Sequence, residues 1–168
     1  GGPMGSRALN QLVEGDWADT EIILVDLPPG TGDVQLSLVQ KARPAGAVIV
    51  STTQDLSLID ATRAIDLFGK TSVPVLGIIE NMAGYQCPHC GERSDPLGQG
   101  GGEASAARLG VPFLGRLPLS LSLREASDAG TPPAGDTSAF ASAVTGVSTP
   151  LRPSGCSAAI KPTSQTSQ

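Results

Sequence analysis

"ILVDLPPGTGDVQLSL", residues 23–38, joins an apolar run to a helix-like repeat through prolines and glycines. The segment Glu21 to Asp26 is apolar at consecutive positions, which favours a strand covered on both faces in a parallel sheet. Ligands bind at the carboxyl ends of such strands. The carboxylate of Asp26 at this end indicates either a cation site, like the Walker B corner of a nucleotide triphosphatase, or a tight loop in which Asp33 caps the next helix.

Strand-like and helix-like segments alternate along the rest of the chain. We expect strands at Ile22–Val25, Ala47–Val50, Val75–Ile79 and Pro112–Gly115, and helices at Ser6–Glu14, Val34–Ala42, Leu56–Phe68, Gly102–Leu109 and Leu121–Ala129. Such alternation predicts an α/β fold, a parallel sheet with helices on both faces. Residues 1–146 are expected to form one domain. Residues 147–168 are rich in Ser, Thr and Pro, which is typical of a disordered tail.

Composition excludes some functions. The 168 residues carry a formal net charge of −5 and no basic run, which argues against a nucleic-acid surface. We find neither an apolar stretch of membrane-spanning length nor a charged-then-apolar leader, so no membrane contact is expected. Of the three cysteines, two form a CxxC pair, which fits a reducing compartment. Together these features predict a cytoplasmic protein.

Cys87 and Cys90 form the strongest local motif, "CPHCG". Two thiolates at this spacing reach one tetrahedral metal or the adjacent irons of a cluster. A closed site needs four ligands, and a second copy of the chain could supply the missing pair across a two-fold axis. A redox dithiol and an inert pair are the competing interpretations.

Other motifs are weaker. Asn81, immediately after the strand expected to end at Glu80, is either a turn residue or an amide that contacts a purine edge. The sequence "GQGGGE", Gly98 to Glu103, is rich in glycine, yet no strand is expected directly before it, so it is a poor dinucleotide fingerprint. The "GKT" at residues 69–71 ends a helical pattern and is not expected to be a P-loop.

Four segments in order identify a family. They are "DLPPGTGDVQLSLVQKA", "GAVIVSTTQDLSLIDATRAIDLF", "VPVLGIIENMAGYQCPHCGE" and "GVPFLGRLPLSLSLREASDAGTP". From about Gly2 to Pro132 the chain closely resembles the Mrp/NBP35 family of iron–sulfur cluster carrier proteins, P-loop ATPases related to the MinD and ParA group. The joint presence of DLPPGTGD, the ENM turn and CPHCG makes this resemblance specific.

The resemblance implies a role for individual residues. Asp26 matches the Walker B aspartate that supports Mg²⁺, and Gly30 matches the switch II glycine near the γ-phosphate of ATP. Asn81 matches the asparagine that contacts adenine, and Pro118 lies on the loop expected at the other side of the base.

The resemblance also implies a cluster site and a function. Cys87 and Cys90, with the same pair of a partner subunit, would hold a bridging [4Fe–4S] cluster in a homodimer, and the cluster would be transferred to recipient apo iron–sulfur proteins under control of ATP. The family's Walker A loop and switch I aspartate have no counterpart here, so we expect no ATPase activity from this chain alone. The alternatives are a MinD/ParA-like positioning ATPase and a non-enzymatic, zinc-stabilised dimerisation module.

Overall fold

The computed structural model describes residues 15–18, 20, 22–27, 33–53, 58–131 and 157–159. Within them, strands and helices alternate, which confirms the predicted α/β class. The strands are β1 (Ile22–Leu24), β2 (Ala47–Thr52), β3 (Val75–Gln86), β4 (Arg93–Ser94), β5 (Phe113–Leu119) and β6 (Ser157–Ala159). The helices are α1 (Asp33–Ala42), α2 (Leu58–Lys70), α3 (Gly101–Leu109) and α4 (Leu121–Asp128). The predicted helix Ser6–Glu14 lies outside the described residues.

Strand β3 is the centre of a four-stranded sheet. It pairs in parallel with β2 on one edge and with β5 on the other, and its last two residues pair with β4. The β3–β4 pair is antiparallel, so the sheet is mixed rather than wholly parallel. The exception arises because the chain reverses direction around the CxxC motif, and only an antiparallel partner can follow so short a reversal.

Strand β3 is longer than the sequence predicted. We expected the strand that begins at Val75 to end by Glu80, but it continues to Gln86. Its register against β5 shifts between Asn81 and Tyr85, where Met82 and Gly84 have positive φ angles of 58° and 89°. A bulge of this kind absorbs extra residues, so pairing resumes beyond it.

Two apolar clusters cover the sheet. In the first, Phe68 of α2 packs with residues of α1 and the start of β2. The second joins the three parallel strands through Val48, Ile79 and Leu117. Ile78 and Ala47 are fully buried, so the core of the body lies along β3 and its β2 edge.

Strand β1 is not paired with the four-stranded sheet in the described part of the chain. Within the described residues it pairs only with β6, in parallel. The prediction that it is buried on both faces was wrong, because Ile22 and Leu24 are 52% and 51% exposed. A strand with one short neighbour has too little around it to cover both faces. Strand β6 lies within the segment predicted to be disordered, and the boundary at residue 146 stays a prediction.

None of the helices in the described ranges has the length and apolar character that a membrane crossing requires.

Candidate functional site

The CxxC motif occupies the turn between β3 and β4. The Cys87 N–H donates to the Glu92 carbonyl at 2.9 Å, and the Gly91 N–H donates to the Cys87 carbonyl at 2.9 Å. The Gln86 side-chain amide also donates to the Gly91 carbonyl at 3.2 Å. Gly91 has a φ of 73°, a conformation that favours glycine. These bonds close a short knuckle that presents Cys87 and Cys90.

The two thiols lie in a setting suited to metal ligands. Backbone N–H groups of Cys90 and then His89 donate to the Cys87 sulfur, and together with the Cys90 thiol they lower the pKa of Cys87 below that of an ordinary thiol. Cys87 is half-buried and Cys90 is exposed, both with free thiols. Thiolates are the form that binds soft metals. In the described part of the chain, no group of three or more His, Cys, Asp and Glu could hold a metal ion.

Asn81 and Pro118 lie on neighbouring strands. Asn81 is half-buried in β3 and its partner in the register is Leu117 of β5, the residue before Pro118. Pro118 was predicted on a loop, but it lies within β5, opposite the β3 bulge. Proline has no N–H to donate, so an interruption in the ladder is where a strand tolerates it. The structure therefore brings these two predicted residues to one edge region of the sheet.

Asp26 follows the end of β1 and is exposed. Its neighbours Val25 and Leu27 pack against the first apolar cluster, which anchors the backbone on both sides of the carboxylate. Gly30 lies outside the described residues.

Sequence reasoning missed a buried acidic residue, Glu80. Its side chain is fully buried, and one oxygen, Oε2, accepts from Arg116 Nε at 2.9 Å and from the Gly100 N–H at 3.3 Å. The other, Oε1, accepts from the Gly102 N–H at 3.1 Å. Helix α3 begins after Gly100, which has no capping side chain, so Glu80 satisfies the N–H groups there from another element. The sequence signal that could have identified Glu80 was a charged residue directly after the apolar run of β3.

The loop "GQGGGE" receives this carboxylate. A Cβ added at Gly102 would lie 2.7 Å from the Glu80 Cβ, so only glycine lets the backbone come this close. Gly100 has a φ of 89°, which also favours glycine. The glycines that looked like a poor dinucleotide loop thus allow α3 to begin against β3.

Arg116 completes the arrangement. Its guanidinium also pairs with Glu103 of α3 and lies over the Phe113 ring, 5.2 Å from the centroid. The hydrogen bond to Glu103, with a further one to Glu80, raises the pKa of Arg116 above its ordinary value. The Arg116 side chain is 37% exposed while that of Glu80 is fully buried, so Arg116 pairs with the buried carboxylate and keeps contact with solvent itself.

Named proteins from other organisms match most of the chain. A protein of Arabidopsis thaliana named "iron-sulfur protein required for NADH dehydrogenase, mitochondrial" is 49% identical over 132 residues, 78% of this chain and 42% of that protein. The "iron-sulfur cluster carrier protein" of Pseudomonas fragi is 49% identical over 134 residues, 79% of this chain and 47% of that protein. The chain therefore spans less than half the length of either relative.

A solved structure and a family model agree with these relatives. The nucleotide-binding protein of Archaeoglobus fulgidus, in complex with ADP, superimposes with a TM-score of 0.66 and 38% identity, over 73% of this chain and 53% of that one. The model of the ParA family described as "NUBPL iron-transfer P-loop NTPase" matches residues 1–149. The chain thus belongs to the ParA/NUBPL family of iron-transfer P-loop NTPases.

Proposed function

We propose that this chain carries the cluster-binding part of an ATP-dependent iron–sulfur cluster carrier. The observation that supports this most is the knuckle at the β3–β4 turn, where Cys87 and Cys90 are presented together and backbone N–H groups stabilise the Cys87 thiolate. The relatives named as cluster carriers and as an iron–sulfur protein agree with this assignment. In this proposal the cluster is cargo, taken up and handed to recipient apo iron–sulfur proteins.

The residues of the knuckle suit reversible binding of the cargo. A thiol must lose its proton to bind iron, and the N–H groups of His89 and Cys90 favour the deprotonated form of Cys87. Cys90 is exposed, so an incoming thiol of a recipient can reach the cluster from solvent. The knuckle thereby combines Cys87, whose thiolate is stabilised for binding, with Cys90, which a recipient can reach. A carrier needs the first for loading and the second for release.

A [4Fe–4S] cluster requires four ligands, and each chain offers the pair Cys87 and Cys90. A second copy related by a two-fold axis presents the same pair, so we propose that the cluster bridges a homodimer. The exposure of Cys90 and of the residues that follow it supports this geometry, because an exposed turn is accessible to the same turn of a second copy.

ATP is the proposed control ligand. Asn81 and Pro118 would contact the adenine from neighbouring strands, and Asp26 and Gly30 would face Mg²⁺ and the phosphates. The exposed carboxylate of Asp26 suits a water-mediated contact with Mg²⁺, which keeps several of its waters. ATP supplies the free energy of phosphoanhydride hydrolysis. The half-buried Asn81 amide orients the base, because it is held in a strand rather than a loop.

Anaerobic reconstitution with iron and sulfide, followed by sizing and iron counting, tests the proposal. We expect a dimer that holds one [4Fe–4S] cluster with its visible absorption. Cys87→Ser and Cys90→Ser should each abolish both the absorption and the cluster-dependent dimer. Cys156→Ser, which removes a cysteine outside the described residues, is the matched control and should change neither.

Four outcomes would contradict parts of the proposal. A cluster-loaded monomer, or a dimer whose cluster survives Cys87→Ser, would refute the shared site. Zinc in place of iron after anaerobic purification would favour the zinc-stabilised dimerisation module. Failure to bind any metal would favour a MinD/ParA-like positioning protein, a role that gives no reason for the thiolate pair.

A further inference from the structure

Glu80 and Arg116 occupy the middle of a short stretch of sheet. The register between β3 and β5 contains three consecutive pairs, Ile79↔Gly115, Glu80↔Arg116 and Asn81↔Leu117. An irregularity lies on each side of this stretch, between Ile78 and Ile79 and between Asn81 and Tyr85. The β3–β5 register is interrupted on both sides of this stretch, so contacts within it must specify the register: the buried side chains of Ile79 and Leu117, and the Glu80–Arg116 ion pair.

The ion pair is the polar one of these contacts. Glu80 uses both oxygens, toward the guanidinium on β5 and toward the Gly100 and Gly102 N–H groups at the start of α3. A slip of one residue would move the fully buried carboxylate away from all three donors. An unpaired buried carboxylate is costly enough to disfavour that register strongly. Glu80 therefore ties β3, β5 and α3 into one arrangement.

The residues proposed to hold the nucleotide base are built on the same stretch. Asn81 follows Glu80, and Pro118 comes two residues after Arg116. Glu80 is fully buried, and both of its oxygens already accept hydrogen bonds from Arg116 and from the start of α3, so the carboxylate itself is not expected to contact the base. Any effect of Glu80 on the base must travel through the backbone register.

We infer that Glu80 is a positioning residue for base recognition: with Arg116 it holds the β3–β5 register that sets Asn81 beside Pro118. The inference rests on the proposed function, in which these two residues contact adenine. It assigns a role to a buried carboxylate that touches neither the nucleotide nor the cluster.

The test compares two nucleotides that differ in the base. The full chain is titrated with N-methylanthraniloyl-ADP and N-methylanthraniloyl-GDP, which carry the fluorophore on the ribose, and the ratio of the two affinities is measured. Wild type should prefer adenine, and Asn81→Ala should remove the preference. Glu80→Gln should lower the ratio about tenfold, the effect of one lost hydrogen bond to the base.

A double-substitution cycle separates positioning from a general loss of stability. If Glu80 acts through Asn81, Glu80→Gln should lower the ratio no further in a chain that already carries Asn81→Ala. Arg124→Gln is the matched control, because it breaks an exposed ion pair with Asp128 at 2.8 Å and should leave the ratio unchanged. Arg116→Gln removes the other half of the positioning pair from a half-exposed site, so it tests the inference even if Glu80→Gln does not fold.

The outcomes are distinguishable. A Glu80→Gln or Arg116→Gln chain that keeps the wild-type ratio overturns the inference and leaves the proposed base site intact. Additive losses in the double variant also overturn it, since the two residues would then act independently. A wild-type chain without any preference for adenine overturns the proposed base site, and the inference falls with it.

Discussion

Glu80 on β3 and Arg116 on β5 are directly opposed in the sheet register, and 2.9 Å separates Glu80 Oε2 from Arg116 Nε. The same guanidinium reaches Glu103 in the first turn of α3. One cation therefore serves a buried carboxylate and an exposed one. This relationship links the strand that leads to the cysteines, the strand that carries Pro118 and the glycine-rich loop.

Removing the acidic side chain from the Glu80–Arg116 pair and from the Asp128–Arg124 pair should have very different effects on stability. Glu80→Ala should lower the free energy of unfolding by about 3–5 kcal/mol, because two backbone N–H groups and Arg116 lose their acceptor. Asp128→Ala breaks the exposed pair with Arg124 and should cost about 0.5 kcal/mol or less. Urea unfolding followed by circular dichroism measures both. Equal losses would mean that Glu80 contributes no more than a surface charge.

Alanine substitution at two glycines should change the stability of the chain in opposite directions. Gly102→Ala places a Cβ 2.7 Å from the Glu80 Cβ and should destabilise the chain by about 1–3 kcal/mol through overpacking. Gly69 is exposed within α2 and has nothing within 4 Å of the added Cβ, so Gly69→Ala should stabilise the chain by about 0.5–1 kcal/mol. Thermal unfolding of the two variants compares them. A stabilised Gly102→Ala chain would show that the loop is not closely packed on Glu80.

Alkylation of the metal-free chain should reveal the lowered pKa of Cys87. The rate of modification by iodoacetamide follows the thiolate fraction, so for Cys87 it should rise with pH and level off at a lower pH than for an ordinary thiol. In denaturant the N–H donors of Cys90 and His89 are lost, and the midpoint should move up to about 8.5. Mass spectrometry resolves the modified sites. Identical midpoints in the folded and denatured chain would contradict the stabilised thiolate.

The chain alone should not hydrolyse ATP above background. Its sequence contains no counterpart of the family's Walker A loop, and the cradle and lysine of such a loop supply much of the electrostatic stabilisation in phosphoryl transfer. Phosphate release from Mg²⁺-ATP measures the rate. Turnover that disappears in Asp26→Ala would contradict this expectation and would make Asp26 part of a competent site.

Sequence patterns predicted the elements well because each depended on local chemistry. Helix α2 was predicted at Leu56–Phe68 and runs over Leu58–Lys70, with Ala61 and Phe68, two helical turns apart, both buried. The cysteine knuckle follows from spacing alone. The patterns failed where distant residues decide the structure: Glu80 finds its partners 20, 22 and 36 positions along the chain.

The length of β3 and the exposure of β1 were missed for the same reason. The bulge places Met82 at a φ of 58°. Most residues at such angles are glycine, so a methionine gives no sign in the sequence that the backbone bulges there. The burial of a strand depends on how many neighbours it has, and the apolar run at Ile22–Leu24 does not encode that number.

The knuckle between β3 and β4 is closed by its own bonds. The contacts of Cys87 with Glu92 and Gly91, and the cross-strand pairs Tyr85↔Ser94 and Gln86↔Arg93, all lie within one hairpin. Farther along, the Thr53 hydroxyl donates a hydrogen bond to the Leu97 carbonyl, which ties the segment after β4 to the end of β2. The turn that carries the two cysteines is thus held by bonds within its own hairpin, so we expect residues 87–92 to tolerate exchange for a turn with another cysteine spacing without disturbing the body of β3.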